Sequence, residues 1–146
     1  MKLHTFMACF ALLTGCTFNH SINFTPSQEY AISVRAELFD TVRIIDNNDI
    51  TLFRNDKALG FMRVETLPPD IASSPAPIET LRSASKVGSV PIRNINTPEG
   101  YQGFSAQVGD HLTGYVLKKA NPQTVLIVSF PEELFEDVIN TISAGI

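Results

Sequence analysis

The stretch TVLIVSFPEELFEDVINTISAG, residues 124–145, decides the fold. Its first part, TVLIVSF, is almost continuously apolar. Such a run predicts a central strand covered on both faces. Pro131 then stops the strand, and Glu132 and Glu133 follow in what would be the first turn of a helix, where the helix dipole favours negative charge. Leu134, Phe135, Val138, Ile139 and Ile142 recur at helical spacing and form one apolar stripe. Glu136, Asp137, Asn140 and Thr141 face away, and Gly145 is placed to cap. Burying five such side chains is worth about 8–15 kcal/mol gross, before ordering entropy is subtracted. A buried strand feeding an amphipathic helix predicts a sheet with a helix packed on it.

Upstream, GYQGFSAQVGDHLTGYVLKKANPQTVLIVSF reads as three strands separated by Gly109-Asp110 and Asn121-Pro122. DITLFRNDKALGFMRVETL has apolar runs on either side of Asn55-Asp56-Lys57, the residues of a hairpin turn. EYAISVRAEL alternates Ile32, Val34, Ala36 and Leu38 as a half-buried strand does, whereas Phe39 and Val42 continue at helical spacing; 36–43 reads equally as strand or short helix. LPPDIASSPAP, residues 67–77, holds four prolines and reads as a loop. PIETLRSASKVG after it predicts a helix, with Pro77 in the first turn, Lys86 in the last and Gly88 as cap. The fold class is therefore α+β: a mostly antiparallel sheet of about 5–7 strands, carrying the C-terminal helix and one mid-chain helix. The last 45 or so residues, with INFTPSQEYAISV as a first hairpin, resemble PsbP-like and DcrB-like domains, small sheets with helices on their faces. That resemblance implies a binding or accessory role and brings no catalytic residue with it.

At the other end, Met1-Lys2-Leu3 gives a positively charged start, and a mostly apolar run of about a dozen residues follows. That is well short of the ~20 residues of a membrane-spanning helix. The run ends in Leu13-Thr14-Gly15-Cys16, which resembles the bacterial lipobox. The resemblance implies that 1–15 is a signal peptide removed by a lipoprotein signal peptidase that reads Leu13, Thr14 and Gly15. It further implies that Cys16 carries diacylglycerol and acyl lipid. Small side chains before the cut let the backbone lie extended in a protease cleft. Thr17, rather than Asp, favours the outer membrane over the inner in the sorting pattern this resembles, with the domain on the periplasmic face. Residues 16–21 then form the lipidated cysteine and a short tether, at most ~18 Å when extended, and 22–146 form one domain. Cys9 leaves with the leader.

The 146-residue chain has a net charge of −4, and losing Lys2 leaves ten basic against fifteen acidic residues. The densest basic feature is Lys118-Lys119, which argues against a nucleic-acid partner. Chemistry is sparse. The sequence has no G-x-S-x-G, P-loop or dinucleotide fingerprint. DNNDITLFRND fails the EF-hand pattern at Ile50, and His111 beside its hairpin turn reads as solvated. Adjacent Asp110 and His111 would point to opposite faces of a strand. A Ser105–His111–acid arrangement is formally open, but nothing recommends it. Hence no metal, no cofactor besides the lipid and no enzyme activity are expected. Loops rich in Gly, Pro and aromatics often carry recognition, so Pro69, Pro75, Tyr101 and Phe104 are the candidate partner-binding surface. The expected role is that of an anchored accessory docking another envelope protein, such as part of a secretion, pilus or conjugation apparatus or a periplasmic toxin. A small-ligand binder is the alternative, and a hydrolase comes third.

Overall fold

The computed structural model describes residues 20–46, 48–85 and 91–145. Its strands are β1 (Ser21–Ser27), β2 (Tyr30–Arg35), β3 (Thr41–Ile45), β4 (Asp49–Arg54), β5 (Lys57–Thr66), β6 (Ile92–Asn94), β7 (Tyr101–Val108), β8 (His111–Lys118) and β9 (Thr124–Pro131). Three helices accompany them: α1 (Pro69–Ala72), α2 (Pro77–Ala84) and α3 (Glu132–Ile139). β3 to β9 form one seven-stranded sheet in the order β3-β4-β5-β9-β8-β7-β6, antiparallel throughout. β1 and β2 pair separately as a hairpin. The expected α+β class with a mostly antiparallel sheet holds, and the apolar strand β9 lies at the sheet's centre.

Both faces of β9 are covered, by different layers. On one face β1, β2 and α3 close a core containing Tyr30, Ile32, Leu52, Met62, Val116, Leu126, Phe130 and Phe135. On the other, α1 and α2 bring Ile71, Ile78 and Leu81 onto Phe104, Leu117, Val125 and Ile127. Strand alternation divides the residues accordingly, so Leu126 and Val128 look one way and Val125 and Ile127 the other. Turn chemistry sets the register of the meanders. Asn55 and Asp56 both have positive φ, 51° and 61°, the backbone that a two-residue hairpin of matching twist requires. Gly109 supplies φ 64° between β7 and β8.

Three expectations change in detail. Residues 36–43 are neither all helix nor all strand: a 3₁₀ turn, Ala36–Leu38, leads from the hairpin into β3. The 67–77 loop contains a single helical turn, α1, because Pro69 stands at its start with Asp70 beside it, and Ser73 N–H closes on Pro69 O at 3.0 Å. α3 is shorter than its apolar stripe. It ends at Ile139, and Ser143 pairs with Ala31 across a bridge, so Gly145 does not cap the helix but lies tight against the Ser27 carbonyl. Lys86 and Gly88 lie outside the described residues.

The β1–β2 layer is tied to the sheet by Tyr30, which is fully buried. Its hydroxyl donates to Thr124 O at 3.0 Å and accepts from Lys118 N–H at 3.2 Å, joining the ends of β8 and β9. Tyr30→Phe should cost about 1–3 kcal/mol in urea denaturation, because it leaves a half-buried carbonyl and a half-buried N–H without their partner. Burial also pushes the Tyr30 phenol above its ordinary value of 10.0, against the pull of those two bonds. The unfolded chain therefore releases this proton first, and the stabilisation present below pH 10.0 declines as pH rises from there towards the raised folded value. Denaturation midpoints measured from pH 8 to 11 should fall less steeply in Tyr30→Phe than in wild type.

Candidate functional site

Leu13, Thr14, Gly15 and Cys16 lie outside the described residues, as does the tether up to residue 19. Of the four loop candidates, Pro69 and Pro75 are exposed. Tyr101 and Phe104 are not, with exposures of 6% and 0%, and they do not form a surface. Spaced three apart on β7, they point to opposite faces. Tyr101 packs on Tyr30 at 5.9 Å and donates to Glu29 O at 3.0 Å. Phe104 stacks on Tyr115 at 5.0 Å, with the Arg82 guanidinium 5.3 Å over its ring.

The nucleophile arrangement also dissolves. Ser105 is buried opposite Gly114, whereas His111 stands opposite Val108 at the turn, roughly 10 Å along the strand. The expected opposition of Asp110 and His111 is overturned as well. Asp110 belongs to the turn rather than the strand, so alternation does not govern it, and its Oδ1 lies 2.8 Å from His111 Nδ1. That hydrogen bond holds the Asp110 carboxyl below its usual range. The other ring nitrogen lies 3.1 Å from Leu59 O, which makes His111 a brace between β8 and β5 rather than a solvated turn residue. Among the described residues no group of three or more His, Cys, Asp or Glu side chains is placed to hold a metal. No described helix is long and apolar enough to cross a membrane.

Two other features offer binding chemistry. The first is the β3 edge. All five β3 residues are exposed, including Val42 (36%), Ile44 (57%) and Ile45 (51%). Among the described residues β3 pairs with β4 alone, with Val42 opposite Leu52 and Ile44 opposite Ile50. Just before β4, Asn48 O accepts from Val64 N–H of β5 at 3.0 Å, and this fixes the alternation. Even-numbered β4 residues bond to β5 and odd-numbered ones to β3. The N–H and C=O of Val42 and Ile44 therefore point out of the sheet. On the opposite face from Val42 and Ile44, Arg43 lies over Phe53 at 5.0 Å and Arg63 over Phe61 at 5.6 Å. Arginine and aromatic side chains of this kind dominate protein interfaces.

The second is a cleft of about 290 Å³ between β2 and α3, walled by Val34, Leu38, Leu134 and Val138, with Ser21 and Asp137 at its rim. Its position follows from how the β2 edge is closed. Ala31 exchanges both backbone bonds with Ser143, at 2.7 and 3.0 Å. The Thr141 hydroxyl accepts from Ser33 N–H at 3.0 Å and shares its proton between the Ser33 and Val138 carbonyls, at 3.1 and 2.7 Å. This zip ends at Ser33, and the cleft opens beside Arg35.

Neither feature was among the candidates from sequence. TVRII begins inside the stretch that reads equally as strand or short helix, and nothing local reveals that it lies at the sheet's margin. The cleft brings together residues from the two ends of the domain. Comparison with protein-family models, with curated proteins and with solved structures found no match to this chain.

Proposed function

We propose that this chain is an envelope lipoprotein, anchored through lipid on Cys16, whose domain docks another envelope protein as a binding or assembly accessory. The observation that carries the docking role is the β3 edge, where unpaired backbone groups coincide with exposed apolar side chains. Soluble proteins blunt such an edge unless something covers it. The anchoring rests on Leu13-Thr14-Gly15-Cys16 and the apolar run before it, and Thr17 favours the outer membrane, periplasmic side. The resemblance to DcrB-like domains agrees with an accessory rather than an enzyme.

Metabolic labelling with a fatty-acid probe tests the anchor. Wild type should label and partition with membranes, and Cys16→Ala should lose both; equal labelling of the two would sink the lipid assignment. Co-purification from detergent-solubilised membranes tests the docking role, with a stoichiometric protein partner expected. The cleft favours one second reading, a small amphipathic ligand, since its volume approaches that of small-molecule sites. A monomer carrying a bound small molecule would support that reading instead.

A further inference from the structure

The two ends of the seven-stranded sheet are treated differently. β6 is three residues long, is preceded by Pro91 and carries an exposed Arg93, all devices that discourage pairing. β3 is longer, holds no proline and exposes Val42, Ile44 and Ile45. Its outward N–H and C=O groups, at Val42 and Ile44, make an acceptor for one kind of ligand: an extended backbone that continues the ladder.

The charges on β3 decide between a second copy of this chain and a different segment. In a symmetric antiparallel pair that uses both outward residues, Val42 faces Ile44 of the other copy. Arg43 then stands directly against Arg43 and Asp40 against Asp46. Like charges directly opposite one another are destabilising. Shifting the register by two to avoid this brings in Asp40, whose N–H is already given to Phe53 O at 2.9 Å, or Asp46, whose φ of 52° has left the strand. Each shifted register keeps only one complete pair. The self-complementary arrangement is therefore poor.

We infer that β3 is a strand-addition site for an extended segment of a different protein, apolar at the two positions facing Val42 and Ile44 and acidic at the position between them. The acidic side chain meets Arg43, and the apolar pair extends the sheet face that already carries Ile50 and Leu52. This rests on the docking role proposed above and names its site and chemistry.

The test uses the full chain solubilised in detergent and two fluorescein-labelled peptides, STVEVTS and STVKVTS, read by fluorescence polarisation. The glutamate peptide should bind roughly three to ten times more tightly than the lysine peptide, and Arg43→Glu should reverse the order. N-methylation of the two valines should abolish binding, whereas N-methylation of the glutamate, whose N–H points away from β3, should leave it. Hydrogen exchange at Val42 and Ile44 should slow on peptide addition. Circular dichroism of Arg43→Glu confirms that the variant is folded, since Arg43 is exposed. Equal affinity for the two peptides, or indifference to valine methylation, overturns the assignment. Exchange at Val42 and Ile44 that slows with protein concentration alone identifies a second copy as the occupant. Slowing on transfer from micelles to anionic phosphatidylglycerol vesicles identifies a lipid surface. Either result overturns the inference. If no peptide engages β3 while a stoichiometric partner still co-purifies, the site fails and the docking role stands. Loss of the docking role alone would show as peptide binding without any co-purifying partner.

Discussion

Phe135→Ala should lower the unfolding free energy by about 3–5 kcal/mol, the range for deleting a buried aromatic ring. Phe135 is fully buried and is the largest side chain α3 places in the core. Its seat is made by an absence on the sheet. A Cβ added at Gly114 of β8 would lie 2.8 Å from Phe135 Cζ and 3.3 Å from Ile139 Cδ1, so the ring occupies the space a side chain would fill. Removing the ring leaves a cavity that two bare surfaces line, and the strand backbone cannot collapse into it. Set against the 5–15 kcal/mol total of an ordinary domain, this change takes the protein near its threshold. A urea midpoint that falls with unchanged slope would show the effect to be in stability alone. The exposed neighbour Glu136→Ala should be close to neutral. A loss below ~1 kcal/mol for Phe135→Ala would mean that α3 is not seated on the sheet as described.

The second large effect is expected at Gly60→Val, on β5. A Cβ there would fall 2.5 Å from Phe130 Cδ1 and 2.5 Å from the Ser129 carbonyl oxygen. Overpacking a core costs typically 1–3 kcal/mol. The ring can turn away, but the carbonyl belongs to the neighbouring strand and cannot, so we expect about 3 kcal/mol or more. A double-mutant cycle with Phe130→Leu separates the two contacts. The second change should relieve the clash with the ring and leave the carbonyl part of the penalty. Full additivity would place the strain elsewhere.

Local signals carried most of the fold. Asn55-Asp56, Gly109-Asp110 and Asn121-Pro122 mark hairpins because turn geometry demands those residue types, and the stripe through Phe135 and Ile139 marks a helix. Strand order is different in kind. The β5–β9 pairing, Phe61 with Ser129 through Thr66 with Thr124, is a tertiary contact with no local residue to announce it. The site suffered from the same limit. Tyr101 and Phe104, flanked by glycines, looked available for recognition, yet a sheet covered on both faces buries odd and even positions alike. The exposure of Val42, Ile44 and Ile45 has no local signal either, because it follows from the place of β3 at the end of the strand order.

The placement of β9 has a consequence for how this chain reaches its native state. β3-β4-β5 and β7-β8-β9 are each meanders of adjacent strands, joined by short turns, and such units zip on the microsecond scale of hairpins. Within the seven-stranded sheet one seam, β5 against β9, requires distant parts of the chain to meet, and α1, α2 and β6 all belong to the loop that it closes. Loop closure at that seam sets the entropic barrier to folding. Until it forms, β5 and β9 are both naked edges, and the most apolar strand of the sheet, TVLIVSF, is the one left waiting.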